Sequence, residues 1–194
     1  MRIPDCINTP RLELRLLSAR DAEEVLSYVL RNRSLLEPTE PKRTDDYWTL
    51  RGVRELLGDE RRGALDSGRH IRYWIVHTQR FQVIGSVLLA RVTRKPPAGC
   101  SLGYRLDREH LRRGYMKEAL AAVLDWAFGD FGLERIEVNM MPRNTASRKT
   151  AASLGFRKCG ITRDFLEING TLEHHIRTEL YREEWLCSRR NGLM

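Results

Sequence analysis

Residues 101–127 constrain the fold more than any other stretch, because a strand pattern, a basic loop with one glycine and a long helical pattern follow one another there. Residues 101–106 are predicted to form a strand. Apolar side chains then recur at helical spacing, at Met116, Leu120, Val123, Leu124 and Ala127. This helix is predicted to end near Gly129 or Gly132. The chain is therefore expected to pack a long helix against a sheet.

The rest of the chain divides into short strand patterns and helix patterns. Strands are predicted at residues 11–16, 71–76, 83–90, 133–139, 165–168 and 173–181. Apolar spacing or capping residues predict helices at 22–30, 47–57 and 144–154. Ser18 and Asp21 resemble a capping box, and Asn169-Gly170 is typical of a hairpin turn. The order β-α-α-β-β-β-α-β-α-β-β predicts a single α/β (α+β) domain on a mixed, mostly antiparallel central sheet.

The composition of the 194 residues excludes several protein classes. Hydrophobic residues make up 41% and charged residues 31%, which is typical of a globular domain rather than a disordered chain. No run of about 18 apolar residues is present, so no membrane span is expected. Residues 1–5 lack the apolar stretch of a secretory signal, so we expect a cytoplasmic protein. The cysteines are too dispersed to predict a zinc site or a disulfide framework: Cys6, Cys100, Cys159 and Cys187.

The chain is basic, with 34 Lys and Arg against 26 Asp and Glu and a formal charge of +8. This excess is compatible with nucleic acid, an acidic protein or a phosphorylated ligand as partner. Several of the cations lie in one stretch, which we call the basic cluster: Arg105, Arg108, Arg112, Arg113 and Lys117. The basic cluster is either a solvated face or the binding site of a phosphorylated ligand.

Gly114 lies within the basic cluster, directly before the long predicted helix. The first N–H groups of a helix have no partner inside the helix, and together with the helix dipole they bind anions. A glycine lets the main chain approach an anion closely, and neighbouring arginines add charge. The stretch has neither a GxGxxG nor a GxxxxGK[ST] motif, so a Rossmann site or a P-loop is not supported. The residues alone predict a general anion site.

An ordered set of motifs gives the chain a family resemblance. The strand, loop, glycine and helix at 102–124, followed by Asn144-Thr145-Ala146-Ser147 and Leu154-Gly155-Phe156, resemble the GNAT superfamily of N-acetyltransferases. More narrowly, the chain resembles the RimJ/RimL ribosomal-protein-alanine N-acetyltransferases, through Thr9-Pro10-Arg11-Leu12, residues 32–41, Val83-Ile84-Gly85, Leu102-Gly103-Tyr104, residues 116–120 and Asn169-Gly170. The resemblance runs over residues 9–185, which predicts an acetyltransferase domain there and terminal extensions at 1–8 and 186–194.

The resemblance implies acetyl-CoA as co-substrate, no metal, a splay between two neighbouring strands and helices on both faces of the sheet. Residues 111–116 take the place of the loop whose main-chain amides cradle the coenzyme pyrophosphate, although Leu111 and Met116 depart from the family pattern. The strand at residues 104–106 would offer main-chain groups to the pantetheine arm. The implied coenzyme-binding residues are Tyr104, Arg105, Leu106, Arg112, Arg113, Gly114, Tyr115, Met116, Lys117, Asn139, Asn144 and Ser147.

Two residues are implied as catalytic. Ser147 matches the serine whose hydroxyl hands a proton to the departing thiolate of coenzyme A, although Asn144 and Ser147 also suit the capped start of a helix. Glu167, just before the Asn169-Gly170 turn, lies near the place of a suspected glutamate base. The alternatives for the base are Glu173, His174 and Glu137.

Two other polar residues near Gly114 are not expected to act in the reaction. Glu118 lies in the first turn of the long helix, where a carboxylate complements the helix dipole. His110 is expected to be exposed. Both residues are therefore predicted to have no chemical role.

The resemblance implies direct attack of an amine on the thioester, with the N-terminal α-amine of a ribosomal protein as acceptor. An α-amine has a pKa near 7.7–8.0 and a lysine near 10.4, so deprotonating a lysine is about 3.5 kcal/mol harder. Residues 37–41 and the Asn169-Gly170 turn are expected to flank the acceptor groove. A small-molecule amine or antibiotic is the alternative acceptor, and a non-catalytic RNA- or ribosome-binding factor is the alternative function. No membrane or nucleic-acid partner is expected, and monomer and homodimer both stay open.

Overall fold

The computed structural model describes residues 3–192, in which eight strands form one sheet. The strands are β1 (Cys6–Asn8), β2 (Leu12–Arg15), β3 (Ile71–His77), β4 (Gln82–Thr93), β5 (Gly99–Leu106), β6 (Arg135–Met140), β7 (Arg157–Ile168) and β8 (Thr171–Tyr181). Their order across the sheet is β1-β2-β3-β4-β5-β6-β8-β7. Neighbours are antiparallel except β5 and β6, which are parallel. The predicted mixed, mostly antiparallel sheet is confirmed.

Helices cover both faces of this sheet. They are α1 (Ala22–Arg31), α2 (Arg33–Leu36), α3 (Leu50–Asp66), α4 (Tyr115–Phe128), α5 (Thr145–Ser153) and α6 (Arg182–Arg190). On one face, α1 and α3 bury Val25, Val29, Val53 and Leu57 against Trp74 of β3. On the other face, α4, α5 and α6 share a larger core. The predicted arrangement with helices on both faces is confirmed.

The helix α4 is the main element of the larger core. Its stripe of Ala119, Leu120, Val123, Leu124 and Ala127 is fully buried, and burying each larger aliphatic side chain stabilises the fold by about 1.5–3 kcal/mol. This matches the apolar spacing from which the helix was predicted. Neither α4 nor any other helix within residues 3–192 is long and apolar enough to cross a bilayer.

The parallel strands β5 and β6 separate after a short paired stretch. Their pairing joins Gly99–Ser101 to Arg135–Glu137 and ends there, although β5 continues to Leu106 and β6 to Met140. Each strand keeps its other neighbour, since β5 stays paired with β4 and β6 with β8. The two strands therefore diverge into a wedge whose inner edges carry unpaired main-chain groups. This wedge is the predicted splay.

The sequence pattern missed several parts of the secondary structure. The strand β1 has three residues, too few for a periodic signal, and β7 begins at Arg157, eight residues before the predicted start. The helix α3 continues to Asp66 through a polar stretch that carried no clear apolar stripe. The helix α6 buries Trp185 completely, and the indole Nε1 donates a hydrogen bond to Asp125 at 2.9 Å. Both ends of the described part of the chain therefore contribute to the sheet or the core.

Candidate active site

The helix α4 begins directly after Gly114, whose φ of +80° lies in the left-handed region that favours glycine. Among the described residues, no side chain caps this helix start. Within residues 3–192, no protein group accepts a hydrogen bond from the main-chain N–H groups of residues 112–117. Such amides, together with the positive end of the helix dipole, bind phosphate. The turn predicted as an anion site thus presents the main-chain groups that this role requires.

The side chains around this turn divide into exposed cations and buried apolar groups. Arg112, Arg113 and Lys117 are exposed. Tyr115 and Met116 are buried in the core. The last two residues are therefore available to a coenzyme only through their main chain, which is the kind of contact that the family resemblance implies.

His110 is buried beneath the turn, so the expectation that it is exposed is wrong. Its side chain is 1% exposed and packs against the rings of His77 and Tyr115. The Nε2 atom of His77 lies 3.0 Å from the Tyr115 hydroxyl. Burial lowers the pKa of His110, although the nearby carboxylate of Asp107 opposes this shift. The three rings support the start of α4 from below.

Ser147 lies at the start of α5, where it meets Tyr104 of β5. The Ser147 Oγ donates a hydrogen bond to the Tyr104 hydroxyl at 2.8 Å, and that hydroxyl donates to the main-chain oxygen of Ser147 at 3.0 Å. Asn144 caps α5, because its Oδ1 accepts a hydrogen bond from the Ser147 N–H at 3.0 Å. Burial raises the pKa of Tyr104, so its hydroxyl stays protonated. Two neutral hydroxyls are therefore joined next to the diverging part of β5.

Asn139 lies on the diverging part of β6, opposite Arg177 of β8. Its Oδ1 is buried and has no hydrogen-bond partner among the described residues. Leaving a buried acceptor unpaired costs about 1–3 kcal/mol, so a water molecule or a ligand N–H group would stabilise this atom. The wedge thus combines unpaired strand edges with an unpaired amide oxygen. This donor and acceptor set fits an elongated ligand that carries amide groups, as the pantetheine arm does.

The side chain of Arg105 points to the opposite face of β5 from Tyr104, because successive residues of a strand alternate. Its Nη1 lies 3.0 Å from Glu40 Oε1 and donates to the Tyr47 hydroxyl at 2.8 Å. Its Nε donates to the Oγ of the buried Ser86 at 3.1 Å. The Arg105 side chain therefore lies apart from the rest of the basic cluster, and only its main chain is available at the wedge.

Glu40 is held by two arginines. Arg43 Nη2 donates to Glu40 Oε2 at 2.8 Å, in addition to the contact from Arg105. Burial alone would raise the pKa of Glu40, but the charge of Arg105 and the hydrogen bonds hold that pKa below its ordinary value. A carboxylate stabilised in this way is a poor proton acceptor at neutral pH. Glu40 therefore fixes its loop on the sheet rather than taking up a proton.

A cleft of about 650 Å³ lies between this loop and the tip of the β7–β8 hairpin. Its lining comes from residues 33–48 on one side and from Glu167, Asn169 and Gly170 on the other. Most of the lining side chains are exposed, so the cleft is an open groove rather than a closed pocket. The two segments that were expected to flank an acceptor do flank one groove.

The carboxylates near this groove differ in their partners. Glu167 lines the groove and has no ion-pair partner within residues 3–192. Glu37, also in the lining, is ion-paired with Arg33 at 2.7 Å. The other candidates for the base are held by neighbours: Glu173 by Arg143, Glu137 by Arg135, and His174 by the main-chain N–H of Asp164. Among these candidates, Glu167 is the one whose carboxylate lines the groove and has no ion-pair partner in the described part of the chain.

Two contacts of this site carried no signal in the sequence. The alternation along β5 places residues 104 and 105 on opposite faces. However, the partner of Tyr104 lies 43 residues away and that of Arg105 lies 65 residues away. No local spacing predicts a pair at such a separation. The sequence around Glu40 predicts only a proline-containing loop and does not indicate its ion pair with Arg105.

Comparison with known proteins settles the family. The acetyltransferase (GNAT) domain matches residues 11–157, about three quarters of the chain. The chain belongs to the GNAT acetyltransferase family. Acetyl-CoA is therefore the co-substrate of this GNAT domain.

Individual relatives are similar over most of their length. The GNAT domain is 36% identical to the probable N-acetyltransferase YjcK of Bacillus subtilis, over 84% of this chain and 89% of that protein. It is 31% identical to the [ribosomal protein uS5]-alanine N-acetyltransferase of Escherichia coli, over 94% of both chains. Among solved structures, Mycobacterium smegmatis RimJ in complex with CoA-disulfide has a TM-score of 0.85 and 26% identity, over 93% of this chain and 89% of that chain. The resemblance to the RimJ/RimL type is thereby confirmed.

Proposed function

We propose that this enzyme transfers an acetyl group from acetyl-CoA to the N-terminal α-amine of a protein, with a ribosomal protein as the acceptor. The observation that carries the proposal is the open groove between residues 33–48 and the β7–β8 tip, which admits an extended chain end. The similarity to an alanine N-acetyltransferase that acts on ribosomal protein uS5 supports the same acceptor class. The proposal places the enzyme in the cytoplasm, where the four cysteines would stay as the free thiols that they are.

The chemistry of the groove also suits an α-amine. The amine must be neutral to attack, and an α-amine at neutral pH is deprotonated about 3.5 kcal/mol more easily than a lysine. Among the predicted base candidates, Glu167 is the one in the groove whose carboxylate has no cationic partner in the described part of the chain. A single carboxylate, acting directly or through water, suffices for such an acceptor.

The coenzyme-binding residues belong to the proposal. The main-chain amides of residues 112–117 would hold the pyrophosphate, with Arg112, Arg113 and Lys117 adding charge. The main chain of residues 104–106 and the unpaired Oδ1 of Asn139 would hold the pantetheine arm in the wedge. Asn144 would act through the capped start of α5, which fixes Ser147.

The catalytic roles of Glu167 and Ser147 belong to the proposal as well. The bound co-substrate supplies an acetyl thioester, which needs no covalent enzyme intermediate. Glu167 would accept the proton of the incoming amine, and Ser147 would donate a proton to the departing thiolate. The Tyr104 hydroxyl, joined to Ser147 Oγ at 2.8 Å, would turn from the Ser147 main-chain oxygen to return a proton to the serine, and Tyr104 would regain its own proton from solvent. Positioning of the two substrates accounts for the remaining acceleration.

The test is acetyl transfer to synthetic peptides. The enzyme is incubated with acetyl-CoA and peptides that begin with Ala or Ser, and thiol release is followed. Peptides with a blocked N-terminus but a free lysine serve as the control. We expect turnover only with the free α-amine. Turnover of small amines without turnover of any peptide would overturn the proposal that the acceptor is a protein N-terminus. Coenzyme binding without turnover of any amine would overturn the proposal that the protein is a catalyst.

Variants test the two catalytic roles. Glu167→Gln is expected to lower kcat about 100-fold and to leave the KM for acetyl-CoA unchanged, because general bases contribute roughly 10²–10⁴ in rate. Ser147→Ala is expected to lower kcat less, because Tyr104 remains as a proton donor. Glu173→Gln is the matched control, since Glu173 is held by Arg143. A larger loss of kcat in Glu173→Gln than in Glu167→Gln would indicate that Glu173, and not Glu167, is the general base.

A further inference from the structure

The turn between β1 and β2 is fastened to the start of α4 by one arginine and one glutamate. Arg11 contacts Glu118 Oε2 at 2.6 Å through both Nε and Nη2. Glu118 Oε1 accepts from the Thr9 hydroxyl at 2.6 Å and from the Arg11 main-chain N–H at 3.0 Å. The carboxylate of Glu118 is therefore fully engaged by residues more than 100 positions earlier in the chain. This is a more specific task than complementing the helix dipole.

Arg11 also fixes a peptide group of the turn before α4. Its Nη1 donates a hydrogen bond to the main-chain oxygen of Arg113 at 3.1 Å, and its guanidinium lies 4.4 Å from the centroid of the Tyr115 ring. In a trans peptide the carbonyl and the following N–H point in opposite directions. Holding the Arg113 oxygen toward Arg11 thus directs the Gly114 N–H away from it. The contact sets the orientation of one of the amides with no protein partner.

We propose that Arg11 and Glu118 are positioning residues for the coenzyme, which preset the peptide group between residues 113 and 114 so that the Gly114 N–H faces the pyrophosphate. The inference rests on the proposed coenzyme loop. Glu118 fixes the guanidinium, the guanidinium fixes the Arg113 carbonyl, and the carbonyl fixes the Gly114 amide. Thr9 completes the set by holding the other oxygen of Glu118.

The local electrostatics agree with a fixed ion pair. The side chain of Glu118 is 17% exposed and that of Arg11 is 45% exposed. Burial raises the pKa of Glu118, but the hydrogen bonds from Thr9 and Arg11 outweigh it and hold the pKa below its ordinary value. Glu118 is thus ionised at neutral pH. A negative charge in the first turn of α4 repels a phosphate, so charge alone gives no reason for a phosphate site to contain it.

Electrostatic repulsion and positioning predict opposite changes in coenzyme affinity when Glu118 is neutralised, so one substitution distinguishes them. Glu118→Gln removes a negative charge next to the proposed phosphate site, so simple electrostatics predicts equal or tighter coenzyme binding. Loss of the positioning contacts predicts weaker binding instead. By calorimetry with coenzyme A, we expect the Kd of Glu118→Gln to rise about tenfold, the equivalent of one charge-assisted hydrogen bond. Glu109→Gln, an exposed carboxylate three residues before Arg112, is the matched control with an unchanged or lower Kd.

Arg11 is tested in the same way. Arg11→Lys keeps the positive charge, but one ammonium group cannot replace a fork that reaches both Arg113 and Glu118. We expect a Kd rise similar to that of Glu118→Gln, no rise for Arg15→Gln on the exposed side of β2, and no rise for any variant toward S-acetylpantetheine, which lacks the pyrophosphate. Thermal unfolding of each variant checks the fold.

The outcomes separate the two proposals. Full affinity in Glu118→Gln or Arg11→Lys, with weakened binding in Gly114→Ala, would overturn the positioning role and leave the coenzyme loop in place. Full affinity in Gly114→Ala as well would overturn the loop itself. A rise in Kd for S-acetylpantetheine equal to that for coenzyme A would show general damage to the fold and contradict the positioning role.

Discussion

Replacing Arg105 with methionine is expected to destabilise the enzyme and to loosen one wall of the groove. The Arg105 side chain is 10% exposed, and its guanidinium links Ser86 inside the sheet to Glu40 and Tyr47 of the groove loop. Its carbon also lies 5.2 Å from the centroid of the Trp74 ring. Methionine preserves most of the apolar stem, so the substitution mainly removes the charge and the four hydrogen bonds.

The expected loss of stability depends on the contacts that Glu40 keeps once Arg105 is replaced. Removing one partner of a fully buried ion pair costs about 3–5 kcal/mol, because the other charge is left uncompensated. Glu40 is 20% exposed and keeps its contact with Arg43, so part of that cost is avoided. We therefore expect a loss of about 2–4 kcal/mol. For a domain of this size, that loss lowers the Tm by roughly 5–15 °C.

The assay combines thermal unfolding with steady-state kinetics. In Arg105→Met we expect a higher KM for the acceptor peptide and a nearly unchanged Kd for coenzyme A, because the side chain lies on the groove face of β5. Arg51→Met is the control, since Arg51 and Asp46 form an exposed surface pair whose loss should leave the Tm unchanged. The double variant Arg105→Met with Glu40→Leu should recover part of the stability but not the peptide KM. An unchanged Tm in Arg105→Met, or a rise in the coenzyme Kd alone, would refute the reasoning.

Three further predictions concern the support of the site. Gly114→Ala forces a side chain into φ +80°, and we expect coenzyme A to bind about tenfold more weakly by calorimetry, with similar affinity refuting the loop. Asp107 is ion-paired with Arg31 at 2.6 Å, and its hydrogen bonds hold the pKa of its carboxyl below the ordinary value although burial opposes this shift. The contribution of Asp107 to the free energy of unfolding is therefore present at neutral pH and is lost as the pH falls. Asp107→Asn should therefore cost about 2–4 kcal/mol in urea unfolding at pH 7, with a gap to wild type that narrows below pH 4; a constant gap would contradict this. Trp185→Phe removes the hydrogen bond to Asp125, which keeps its contact with Arg189, and should cost about 0.5–1.5 kcal/mol; an unchanged urea midpoint would contradict a stabilising role of this hydrogen bond.

The sequence predicted the parts of the fold that local patterns encode. The stripe of α4, the alternation of β2 and the capping box at Ser18 all appear where they were expected. Each depends only on residues that are close together in the sequence. The family resemblance added the splay, which no periodicity reports. The eight additional residues at the start of β7 were missed because exposed residues on an edge strand give no apolar alternation.

The site was predictable only where its signal is local in the sequence. Gly114 before a helix is a local signal, and so is Asn144 as the cap of α5. Side chains that depend on distant partners were not predictable. Arg105 was grouped with the basic cluster by its position in the chain, yet its partner Glu40 comes from a loop 65 residues earlier. His110 was expected in solvent because its three-ring packing with His77 and Tyr115 joins separate elements.

One strand connects the two halves of the site. Tyr104 faces α5 and the proposed leaving-group side, while Arg105 faces the groove and its loop. Because a strand alternates strictly, these two side chains cannot exchange faces without a shift of β5 against β4, to which it is paired over most of its length. Burying a guanidinium in a sheet carries a desolvation cost, and a leucine at position 105 would pack there without that cost. Its contacts to Ser86, Glu40 and Tyr47 indicate instead that the groove wall must be held in register with the strand whose main chain borders the wedge. In the proposed function, β5 would therefore set the spacing between an acceptor in the groove and the thioester in the wedge.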